Sequence, residues 1–114
     1  MEESKNYKMT YDLIANELHI PMKYKGFIQL VEIINLKSEN LLASNHELYK
    51  QVARKYKVVP TTVSTNIAKL VNIANSTLRQ EEKDKYFKAA VYCGGYITPA
   101  TFINSLANYI HAKM

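Results

Sequence analysis

An all-α fold, a compact bundle of about six helices containing a helix-turn-helix, is predicted by three observations. Only three glycines and three prolines interrupt 114 residues, which favours few, long elements. Apolar residues recur at i, i+3, i+4 and i+7 in several segments, the period of a helix with one buried face. Cap signals stand ahead of those segments, notably "SNHE" and "TPAT". The length suits one domain, and with 47% apolar residues the chain can bury a core without disulfides or metals.

Taken in order, residues 1–9, "MEESKNYKM", are polar and are expected to be a flexible N-terminus ahead of a single helical domain over 10–114. A helix follows Thr10, with Leu13, Ile14 and Leu18 on one face, and stops near His19 because Pro21 disfavours helical geometry at Ile20. Gly26 opens "FIQLVEIINL", in which Phe27, Leu30, Val31 and Ile34 form a buried stripe. Ser44 caps the next helix, with Glu47 positioned to reach back in a capping box. That helix carries Leu48, Val52, Ala53 and Tyr56 and ends near Lys57. Pro60 forces a break, and a helix begins at Thr61 or Thr62. Its apolar residues Val63, Ile67, Leu70, Val71 and Ala74 fall within an arc of about 100°, leaving small or polar residues outside. "TLRQEEKDKYFKAAVY" reads as a charged helix with a solvated face of i,i+4 pairs, ended by Cys93-Gly94-Gly95. Thr98 caps the last helix, and Pro99 takes its first position.

The net charge of +5 is unevenly spread. Between Leu48 and Asn75 lie Lys50, Arg54, Lys55, Lys57 and Lys69 with no Asp or Glu, the footprint of a phosphate-facing surface. Cys93 is the only cysteine, so an internal disulfide is excluded and a reducing compartment fits. No signal peptide or membrane-spanning run is legible, and the expected location is cytoplasmic.

Residues 45–75 have the layout of a helix-turn-helix. Ala53 lets two helices approach, and the β-branched Val63, ten positions later, fills the angle between them. Val52, Tyr56 and Val58 supply the neighbouring buried positions, and the turn reads Lys57-Val58-Val59-Pro60, without the glycine common there. A plain helical hairpin has the same pattern; the missing acids favour DNA. Lys50, Arg54, Lys55 and Lys57 are the candidate phosphate contacts, with Tyr49 and Tyr56 able to add hydroxyl donors or, for Tyr56 especially, to pack in the core. Thr61, Thr62, Ser64, Thr65, Asn66 and Lys69 make the base-facing side, with Ser64 and Asn66 at its edge and Lys69 in reach of either a base or a phosphate.

Three longer stretches, "LHIPMKYKGFIQLVEII", "LYKQVARKYKVVPTTVSTNIAKLVNIA" and "TPATFINSLANYI", resemble in order the C-terminal DNA-binding domain of the stage-zero sporulation master response regulator family. The carrying residues are Pro21, Lys25 and Gly26 at the entry to a long helix, then Leu48, Tyr49, Val52, Ala53, Arg54, Lys55 and Tyr56. Phe102 and Ile103 follow in the last helix. The resemblance implies a six-helix domain that binds promoter DNA, often as tandem copies, in a sporulation regulator. Family members use two arginines and a glutamate near the start of the recognition helix; the matching positions here are Thr62, Thr65 and Ser64. A different site, weaker readout or none is therefore expected, because arginine on guanine is the commonest specific contact. The residues before Asn16 are too few for the family's receiver domain, so a free-standing relative or an excised domain without a phosphoryl switch is expected.

The expected partner is double-stranded DNA, bound as a homodimer or on tandem sites. A second class of reading is a protein-interaction module that kept the fold, lost base reading and modulates a related regulator or polymerase; exposed Ile or Leu on the last helix would favour it. His19, His46 and His111 are too scattered for a metal motif, and no base accompanies Cys93, so no metal, cofactor or enzymatic activity is expected.

Overall fold

The computed structural model describes residues 5–88 and 95–113. Among them are α1 (Lys5–Asp12), α2 (Gly26–Glu39), α3 (Asn45–Tyr56), α4 (Pro60–Thr77), α5 (Gln80–Tyr86) and α6 (Pro99–Ala112), with no strand. The all-α bundle of six helices is therefore as expected. α2 is the central helix, packed against α1, α3, α4 and α6. Its Phe27, Leu30, Val31, Ile33 and Ile34 are all buried, and each such side chain contributes about 1.5–3 kcal/mol.

α1 starts at Lys5, ahead of the expected start after Thr10, because Tyr7 and Met9 pack against the core and hold the first turns. It runs on as a π-helical turn over Leu13–Glu17, closed by the Leu18 N–H on the Leu13 carbonyl at 3.0 Å. Leu13, Ile14 and Leu18 are buried, as their spacing predicts, and His19 turns the chain with φ 55° before Pro21. Ser44 caps α3 through the Glu47 N–H at 3.1 Å. The Glu47 carboxylate lies against Lys50 at 3.6 Å, the pairing found for it in place of the expected reach back to Ser44.

The charged helix is shorter than predicted. α5 ends at Tyr86, and Phe87 leaves helical geometry (φ −130°, ψ 50°) to stack on Phe102, with ring centroids 5.1 Å apart. Burying that ring outweighs another helical turn. The expected stop at Cys93 and Gly94 lies outside the described residues, while Gly95 adopts φ 86°. The start of α5 is fixed by Glu82, whose carboxylate accepts the Arg79 N–H at 2.9 Å; that bond holds its carboxyl below the usual range. Gln80 pairs with Asp84 at 2.8 Å on the solvated face. Thr98 and Pro99 begin α6 as expected, with the Thr101 N–H on Thr98 Oγ1 at 3.1 Å.

Candidate nucleic-acid interface

α3 and α4 meet as the sequence pattern requires: Ala53 and Val63 are buried at their crossing, and Ile67, Leu70, Val71 and Ala74 continue α4's inner face. The turn between them is a Schellman closure. Val58 N–H bonds the Ala53 carbonyl at 2.9 Å, and Lys57 N–H bonds the Arg54 carbonyl at 3.3 Å. Lys57 must therefore adopt the left-handed conformation (φ 57°, ψ 42°) in which glycine is strain-free. The closure also turns Val58 outward, so the residue is 37% exposed instead of filling the buried position expected from sequence. Lys57→Gly should raise stability by about 1 kcal/mol, since a side chain in this conformation costs roughly 1–2 kcal/mol. The same change should shallow the salt dependence of duplex binding by about 0.9 in log–log slope. Thermal unfolding and a salt titration check the two effects separately, and a lower melting temperature would refute the first.

Along α4, Thr61, Thr62, Thr65 and Lys69 are exposed, the last three on one line of the helix. Ser64 is half-buried, and its hydroxyl donates to the Thr61 carbonyl at 3.0 Å. Asn66 faces α2, where its Nδ2 donates to Gln29 Oε1 at 3.1 Å beside Gly26. The side-chain amide predicted to face bases is thus committed to helix packing. What α4 offers outward is a row of short hydroxyls ended by an ammonium.

The four candidate phosphate contacts divide into two pairs. Arg54 and Lys57 are exposed, with no ion-pair partner among the described residues. Lys50 pairs with Glu47. Lys55 reaches Glu32 on α2 at 2.5 Å, and Glu32 also accepts the Tyr56 hydroxyl at 3.1 Å. The acid-free stretch in the sequence is therefore not an acid-free surface. Glu32 is the firmer constraint, because its side chain is only 12% exposed and has two donors, whereas an open pair such as Lys50–Glu47 contributes about 0–1 kcal/mol. Burial, reinforced by the charge and hydrogen bond of Glu32, pushes the Tyr56 phenol well above its ordinary value. Burial also raises Tyr49. The Tyr56 hydroxyl is engaged within the fold, in keeping with the packing role.

Sequence reasoning missed one neighbouring group. Lys69 Nζ lies 4.9 Å from the centroid of the Tyr24 ring, and Lys23 Nζ lies 5.5 Å from the same centroid. Lys25 adjoins Gly26 at the start of α2 and is exposed. The available signal was the tripeptide Lys23-Tyr24-Lys25, identical to Lys55-Tyr56-Lys57 at the turn of the helix-turn-helix.

An exposed row on one helix with unpaired cations beside its first turn is the arrangement by which a helix enters a groove while phosphates are held at its flank. No helix among the described residues is long and apolar enough to cross a membrane. Residues 11–110, from α1 to the end of α6, match the family described as "Sporulation initiation factor Spo0A C terminal". The match covers most of the chain, and the protein belongs to this family of DNA-binding effector domains, which are regulatory and not enzymatic.

Proposed function

We propose that this protein is a cytoplasmic transcription regulator that places α4 in the major groove of double-stranded DNA. Arg54 and Lys57 hold phosphates, and Thr62, Thr65 and Lys69 face the groove, with Thr61 beside them. The observation that carries this reading is the exposed row Thr62, Thr65, Lys69 beside Arg54 and Lys57, two cations with no ion-pair partner among the described residues. Lys50 and Lys55 join the phosphate set only in part, because Glu47 and Glu32 compete with DNA for them. A threonine hydroxyl can bond a base edge and its methyl can pack on thymine, so readout is weaker than an arginine pair would give. Ser64 and Asn66 support the helix. Binding as a homodimer or on tandem sites fits the family.

The protein-interaction reading called for exposed Ile or Leu on α6. Ile103, Leu106 and Ile110 are all 0% exposed, which removes that support.

Selection from a pool of random duplexes at two salt concentrations tests the proposal. An enriched motif that survives moderate salt is expected, and Thr65→Ala should change the motif more than the affinity. Binding without enrichment that vanishes as salt rises would reduce the site to phosphate attraction. No binding at all would overturn the proposal.

A further inference from the structure

The recognition helix has a second basic patch at the far end of its exposed row. Lys69 does not extend freely from α4: its ammonium sits over Tyr24, whose ring also has the Lys23 ammonium near it, at 4.9 and 5.5 Å respectively. Lys25 follows in sequence and is exposed, and no carboxylate pairs with any of the three among the described residues. The close crossing of α2 and α4 brings them together. Gly26 lies directly against Asn66, so the segment that enters α2 is pressed beside the middle of α4.

Two ammonium groups gathered at one ring, with a third lysine at the next position in sequence, repel one another, and a contact with a single aromatic face returns only about 0.5–1 kcal/mol at an exposed site. Such a cluster raises the local positive potential and favours an anion that can be shared. Its spacing identifies the anion. Pro60 opens α4 beside Lys57, and Lys69 lies nine residues on. At 1.5 Å per residue the two patches are about 13 Å apart along the helix. The major groove of DNA is about 12 Å wide.

We infer that Lys23, Lys25 and Lys69 form a second phosphate clamp, holding the DNA strand across the groove from the one held by Arg54 and Lys57. This inference rests on the DNA-binding reading above. It assigns Lys69 to a phosphate, leaving Thr62 and Thr65 as the groove-facing side chains. It also gives the two Lys-Tyr-Lys tripeptides matching places, one at each end of the exposed row.

The test compares the full chain with K23A/K25A and R54A/K57A on two short duplexes, one selected by the protein and one unrelated. The four replaced side chains are exposed, and circular dichroism checks that both variants fold. Each double variant should weaken binding equally on the two duplexes. Each should shallow the log–log salt slope by about 1.8, two contacts at about 0.9 each. Phosphate ethylation interference should show the variants losing different phosphates, on opposite sides of the groove. An unchanged slope for K23A/K25A, beside a reduced one for R54A/K57A, would overturn the second clamp and leave the DNA reading intact. Loss of the same phosphates by both variants would overturn it as well. Failure of the unaltered chain to bind either duplex at any salt would overturn both readings together.

Discussion

Gly26→Ala should lower the melting temperature by roughly 5–10 °C, corresponding to about 1–3 kcal/mol of overpacking. A Cβ at this position would lie 2.9 Å from both the Cβ and the carbonyl oxygen of Asn66, and 3.1 Å from its carbonyl carbon. Two of those atoms are backbone, so no rotamer change relieves the contact; α2 and α4 must separate. Helix propensity taken alone gives the opposite sign, since alanine is better than glycine in a helix by up to about 1 kcal/mol. The sign of the change therefore decides between local preference and the helix crossing. A melting temperature equal to or above that of the unaltered protein would show that the crossing can give way. Because the shift acts on α4 at Asn66, between Thr65 and Lys69, duplex affinity should fall with stability.

Glu32→Gln should strengthen duplex binding, by about tenfold, or ~1.4 kcal/mol. The carboxylate holds Lys55 at 2.5 Å and accepts from Tyr56 at 3.1 Å. Glutamine retains an oxygen for the Tyr56 hydroxyl but loses the charge that competes with phosphate for Lys55. The freed ammonium should steepen the salt slope by up to about 0.9. Fluorescence anisotropy across a salt series reads both affinity and slope. Unchanged affinity and slope would mean that Lys55 does not approach DNA even when released. The unaltered Glu32 also sets what Lys55→Ala can do. That variant should weaken binding on all sequences and shallow the salt dependence, but by less than loss of Arg54 or Lys57, which have no such partner among the described residues.

The same local-against-tertiary division runs through the rest of the molecule. The stripe Val63, Ile67, Leu70, Val71 and Ala74 was legible because a helix places those residues on one face whatever it packs against, and all five are buried. Thr98-Pro99 and Ser44 were legible because capping is settled within one turn. Val58 misled because one left-handed residue, Lys57, reverses the direction of the side chain after it, and no periodicity records that. Phe87 left the predicted helix for Phe102, a partner fifteen positions away that local pattern does not reveal.

By itself the sequence determined an all-helical domain, the helix-turn-helix with Ala53 and Val63 at its crossing, the exposed row of α4, and the basic bias of its neighbourhood. Tertiary structure alone decided which cations are unpaired, that Asn66 belongs to the α2 contact, and that Lys69 lies beside Lys23 over Tyr24. The physical reason is range. Helix, cap and stripe follow from hydrogen bonds and burial within a few residues, whereas the charge presented to DNA depends on Glu32 and Tyr24, which reach α3 and α4 only when the helices cross.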